Sequence, residues 1–234
     1  MLSEKPWKPE AVLFLFVGVF FGISTGVVLT NWLYPKAATI PQIGPFAIAI
    51  LSTQGLALVL FFFFLRKHRV RWRDAFGFGN NWKKSVLVGG GCALLFLPVA
   101  YFLEAISSHV LSYLFNNMPA EQESVKALRS TSSRAVEVPM MFVVVFLVPF
   151  VEEIFFRGIL YPLVKQAGFP RLAFFGVSLF FAAMHFNAES FIPLFVMALL
   201  LTWLYERYDN LLAPIAAHSL FNAYGFVMLY YFNQ

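Results

Sequence analysis

Residues 138–164 read VPMMFVVVFLVPFVEEIFFRGILYPLV. The stretch is apolar enough to lie in a bilayer, yet Glu152, Glu153 and Arg157 sit inside it. A membrane span needs roughly 20 mainly apolar residues. Charged side chains at membrane depth cost several kcal/mol by most scales, so they point to function by default. The stretch therefore predicts a membrane-crossing helix with chemistry inside it.

Working outward, the whole chain agrees with that reading. Of its 234 residues, 60% are hydrophobic and only 12% charged, with a mean hydropathy of +0.73. A water-soluble domain carries about 25% charged residues, so an ordinary soluble enzyme and a disordered chain are both excluded. Apolar runs fall at 11–33, 44–65, 85–102 with an extension towards 115, 138–164, 172–186, 191–205 and 211–232. They predict an all-α, polytopic transmembrane helical bundle of about seven or eight spans, the eighth arising if the third run splits. The polar stretch 116–137, with Ser130, Thr131, Ser132 and Ser133, is expected to be a loop holding one short amphipathic helix. The chain divides into N-terminal helices with a basic loop, 1–137, and a core, 138–234. The first apolar run, about 23 residues, is longer than a signal-peptide core and lacks an A-x-A site, so it is expected to remain a span.

Charge sets the orientation. Seven of the 17 Lys and Arg lie between Arg66 and Lys84. With the N-terminus inside, twelve basic residues face inward and four (Lys36, Lys126, Arg129 and Arg134) face outward. The positive-inside rule therefore places the N-terminus in the cytoplasm. The net charge of +5 belongs to this loop asymmetry, and no nucleic-acid partner is expected. A single cysteine, Cys92, excludes an internal disulfide and a cysteine-based zinc cluster. Gly89, Gly90 and Gly91 are expected to serve close helix packing, since no Lys-Ser/Thr follows them as in a phosphate loop. Phe61 to Phe64 are expected to face lipid.

The intramembrane charges then form a pattern. Glu153 and Arg157 are four apart and share a helix face, so they can pair. Glu152 points about 100° away, and its own i+4 position is Phe156. A group on another helix should meet it. His185 and His218 are the candidates, and Asn222 lies four residues beyond His218 on the same face. At 1.5 Å per residue, Glu152 lies roughly 21 Å from one side, and His185 and Asn222 roughly 20 and 17 Å from the other. These depths overlap, so the groups can share one cavity. A carboxylate beside an imidazole can hold and deprotonate a water. An amide and a second imidazole can donate to a carbonyl oxygen as it becomes an oxyanion. Such a set suits the addition of water to an amide. Glu104 and His109, in the third run, are expected to play a structural or loop-edge role.

Taken together, the motifs resemble the CPBP family of CAAX prenyl proteases and bacteriocin-processing or immunity proteins, also called the Abi family. The family pattern is a pair of glutamates with an arginine four residues after the second, then Phe-x-x-x-His, then His-x-x-x-Asn or Asp. Here it is met by Glu152, Glu153 and Arg157, by Phe181 and His185, and by His218 and Asn222. The resemblance covers roughly 138–232 and implies an intramembrane endopeptidase. The chain is short and carries no eukaryotic targeting tail, so an integral protein of a prokaryotic cytoplasmic membrane is expected. The resemblance implies that Glu152 is the general base, that His185 helps hold the water, and that His218 and Asn222 stabilise the oxyanion. Glu153 and Arg157 would order the site. The expected partners are the bilayer and a peptide or protein substrate, prenylated or membrane-embedded. Metal-free activation of water is favoured. Zinc is the alternative, with Glu152, His185 and His218 as its ligands, although there is no His-Glu-x-x-His. Two other functions compete: a non-catalytic immunity-type or scaffold membrane protein, and a proton-coupled transporter.

Overall fold

The structure is a computed structural model that describes residues 2–35, 43–79, 81–115 and 134–232. The expected outward cations Lys36, Lys126 and Arg129, and the serine-rich stretch before Arg134, lie outside the described residues. Among the described residues eight helices follow in order: α1 (Pro9–Leu33), α2 (Gly44–His68), α3 (Trp72–Phe76), α4 (Trp82–Phe115), α5 (Val136–Gln166), α6 (Leu172–Ala183), α7 (Ala188–Tyr208) and α8 (Leu212–Phe232). No strand occurs among the described residues. α1, α2, α4, α5 and α7 are long and apolar enough to cross a membrane, and α6 is a shorter apolar helix. The chain is an all-α integral membrane bundle. Large apolar side chains such as Phe14, Phe21, Leu87 and Leu95 lie on its outside, where lipid is a suitable solvent.

Three boundaries differ from the sequence reading. α4 runs unbroken through Pro98, so the third span is not split. Helix before α5 begins at Arg134, and Glu137 is helical instead of lying in a loop. α6 ends at Ala183, before the expected 186, because Met184 and His185 turn and Phe186 takes a positive φ of 49°. Asn187 then caps α7, its side chain accepting from the Ser190 amide at 2.9 Å.

α5 is not a uniform α-helix. Val143–Leu147 and Ile154–Leu160 are π-helical, and each segment ends one residue short of the residue preceding a proline, Pro149 or Pro162. Proline lacks the N–H for its i−4 carbonyl and clashes with it. Widening the turn re-satisfies the freed carbonyls without water, which a bilayer requires. The second widened segment carries Arg157.

The described residues fall into two compact units. One contains Pro6–Arg71 and the described part of Glu123–Val151. In it α1 packs on α2, where a Cβ on Gly22 or Gly26 would strike Ser52. Phe61 and Phe64 are buried there, and only Phe62 and Phe63 are exposed, so two of the four expected lipid-facing rings are core. Phe64 packs against Trp7 and His68.

The other unit contains Met1–Lys5, the described part of Trp72–Gln122, and Glu152 onward. Here α7 and α8 both pack along α4, and α6 packs on α7. Gly89 allows the approach of α8, since a Cβ there would strike the carbonyl of Ala213. Gly90 and Gly91 face open space, so one glycine of the three packs as expected. Further along α4, the Ser107 hydroxyl donates to the Ala188 carbonyl at 3.4 Å. From Gly89 to Ser107 is about 27 Å along the axis, close to the hydrocarbon thickness of about 30 Å. His218, five residues past Ala213, therefore stands about 8 Å in from the Gly89 level. At the lower end, Lys165 and Tyr161 of α5 both bond Glu206 of α7.

Candidate active site

The site is built on the part of α5 from Glu152 onward and completed by α6, α7 and α8, all within the second unit. Glu153 and Arg157 are wholly buried and pair across one helical turn, with Nη1 donating to Glu153 Oε1 at 2.8 Å. The other edge of the guanidinium faces α7. Nη2 donates to the Ala198 carbonyl at 3.1 Å and Nε to Thr202 Oγ1 at 3.5 Å. The guanidinium plane lies against the Phe181 ring, 4.5 Å from its centroid, a cation–π contact in a desolvated place. Three partners and a ring face thus hold one buried cation.

His218 reaches the same carboxylate from α8. Its Nδ1 lies 2.9 Å from Glu153 Oε1, and its Nε2 approaches Glu152 Oε2 at 3.7 Å. The helix geometry required a group from another helix to meet Glu152, and His218 is that group. Glu153 Oε1 accepts from both Arg157 and His218, so a single oxygen joins three residues on two helices. Glu152 is the more open carboxylate, with 25% of its side chain exposed against none for Glu153. One oxygen of each, Oε2, is enclosed without a hydrogen bond.

His185 stands in the turn after α6, and its Nδ1 lies 2.8 Å from the Phe181 carbonyl. A carbonyl only accepts, so Nδ1 carries the proton and Nε2 of the neutral ring offers a lone pair. His185 joins the cluster through Phe181, whose ring contacts His185 at 4.8 Å and His218 at 5.7 Å. Asn222 follows His218 by one turn on α8, on the same side of that helix. Glu104 and His109 are exposed on α4 and make no hydrogen bond to this group.

The zinc alternative needs Glu152, His185 and His218 on one ion. Among the described residues, no three His, Cys, Asp or Glu side chains are grouped closely enough to hold one.

The sequence reading did not find Thr202, Ser178 or the Ala198 carbonyl. Thr202 is the only hydroxyl between Phe191 and Tyr205, and Ser178 the only hydroxyl in α6. That isolation was a signal, because a lone hydroxyl in an apolar helix needs a partner.

Residues 134–224 match the family model described as type II CAAX prenyl endopeptidase, Rce1-like. The match spans the helices that carry Glu152, Glu153, Arg157, Phe181, His185, His218 and Asn222, consistent with the CPBP resemblance of the three motifs. No curated protein and no solved structure matches the chain.

Proposed function

We propose, on the endopeptidase match over residues 134–224 and the geometry around His218, that the protein cleaves a peptide bond inside the membrane with a water activated by Glu152. The observation that carries this reading is the sharing of His218 by two adjacent carboxylates with unequal surroundings. Glu153 is committed to Arg157 and His218. Glu152 is open on one side and has an oxygen left to accept a proton.

A water hydrogen-bonded to Glu152 gives that carboxylate its proton as the oxygen attacks the scissile carbonyl carbon. The neutral His185 Nε2 is a second acceptor that helps orient the water. The carbonyl oxygen becomes an oxyanion, which the Asn222 amide and a protonated His218 Nε2 stabilise. With Glu152 now protonated, the oxyanion and Glu153 balance Arg157 and the imidazolium, and the zero net charge suits a medium that penalises net charge. The intermediate collapses, the C–N bond breaks, and the proton on Glu152 passes to the leaving amine. Residues 138–234 form the catalytic core, and α4 braces α7 and α8. The N-terminus is cytoplasmic, and the protein resides in a prokaryotic cytoplasmic membrane. The substrate class proposed is a membrane-associated peptide, with a prenylated C-terminal segment as the first to test.

The test uses the full chain in lipid vesicles and a quenched fluorescent peptide ending in a farnesylated cysteine and three aliphatic residues. The wild type is expected to cleave it, with or without a chelator, and Glu152→Ala to be silent while its melting temperature stays at the wild-type value. Cleavage that survives Glu152→Ala contradicts the proposed base. Cleavage lost to the chelator and restored by zinc contradicts the metal-free route.

A further inference from the structure

Arg157 poses a specific problem of position. Its charge balances Glu153, whose Oε1 also holds His218. A guanidinium pinned only by that carboxylate can swing about the shared bond and take the carboxylate with it. The other edge of the guanidinium prevents this. Nε and Nη2 face two acceptors on α7, one turn apart: Thr202 Oγ1 at 3.5 Å and the Ala198 carbonyl at 3.1 Å. The Thr202 hydroxyl donates to that same carbonyl at 2.8 Å. Its proton is therefore used, and only its lone pairs face Arg157. The two oxygens form a neutral two-pronged acceptor that matches the planar edge of the guanidinium, as a carboxylate would.

Neutrality is the important property. An acidic residue at position 202 would hold the edge more strongly but would also compete with Glu153 for the positive charge. A hydroxyl fixes direction and leaves the charge for Glu153. Ser178 lies 3.3 Å from Thr202 Oγ1, but its own hydroxyl donates to Phe174 at 2.7 Å and does not touch Arg157.

We infer that Thr202 is a positioning residue for the reaction. Acting through Arg157, it fixes the plane of Glu153 and hence the place of His218 opposite Glu152. This rests on the endopeptidase reading for its effect on rate, while its effect on Arg157 is independent of any activity.

The experiment compares Thr202→Val, which keeps the shape and removes the acceptor, with Thr202→Ser, which keeps the acceptor. Ser178→Ala serves as a control, since it removes a buried hydroxyl beside the site without touching Arg157. In 15N-labelled protein, the Arg157 Nε–H signal, assigned with Arg157→Lys, should shift and exchange faster in Thr202→Val. It should stay at its wild-type position in Thr202→Ser and Ser178→Ala. With the farnesylated peptide, Thr202→Val should lower kcat about tenfold, the low end of what orienting partners contribute, with KM within twofold of wild type. The other two variants should stay within twofold in both. If Thr202→Val does not fold, Thr202→Ala is read in the same way. An unchanged Arg157 signal in the folded variant overturns the inference whatever the activity. If the wild type is active and Glu152→Ala silent, an unchanged kcat in Thr202→Val overturns the positioning role and leaves the protease reading standing. If the wild type does not cleave, the protease reading falls, and the Arg157 signal still decides what Thr202 holds.

Discussion

Arg157 presents five N–H donors in one plane. Three of them meet Glu153, the Ala198 carbonyl and Thr202, and Phe181 covers the face. These contacts let a full charge persist in a site with no exposure to solvent. They also predict the cost of disturbing it. Arg157→Ala leaves Glu153 buried and unbalanced, and breaking one side of a buried pair costs about 3–5 kcal/mol. The variant should melt well below the wild type in detergent micelles. Removing both charges in Glu153→Ala/Arg157→Ala should recover part of that loss. A melt for Arg157→Ala equal to the wild type would contradict the role given to the pair. At this scale the sequence was informative within a helix and silent between helices. The spacing of Glu153 and Arg157 made their pairing legible. No spacing shows that His218 bridges both glutamates, or that Thr202 and Ala198 close round the guanidinium, because those contacts depend on how helices face one another.

The elements place these residues through a few local devices. The π-helical segment Ile154–Leu160 ahead of Pro162 sets where Arg157 points relative to Glu153. The positive φ at Phe186 ends α6 early and leaves His185 in a turn, bonded to Phe181. Gly89 lets α8 approach α4, and α8 carries His218. The Gly89→Val variant should therefore lower the melting temperature and the activity together, since its side chain meets the Ala213 backbone. Gly90→Ala, facing open space, should match the wild type on both measures. A Gly89→Val protein as stable as the wild type would show that α4 and α8 are not packed this closely. Hydropathy made the existence of the helices legible, because it reports length and polarity. It did not show the π segments or the short α6, since proline can be absorbed by a widened turn and no proline or glycine interrupts 177–187.

For the whole molecule, low charge content and the cationic run from Arg66 to Lys84 give a membrane bundle with a proposed orientation. The seven cations of that run are exposed, as a loop at an anionic inner surface requires. With Cys92→Ser as background, a Lys83→Cys protein should react with an impermeant thiol reagent only after the cytoplasmic side is opened. Labelling from outside would reverse the orientation. Composition and three spaced motifs were enough to read the class of molecule and its main polar cluster, because charges inside an apolar chain are few and costly. The central claim is that Glu152 takes the proton from the attacking water. Glu152→Gln keeps the size and polarity of the side chain and removes its basicity, so its kcat on the farnesylated peptide in vesicles is the most direct measurement. The account predicts a loss of about 100-fold or more, the scale of a missing general base, in a protein that melts like the wild type. A kcat within twofold of the wild type would contradict it.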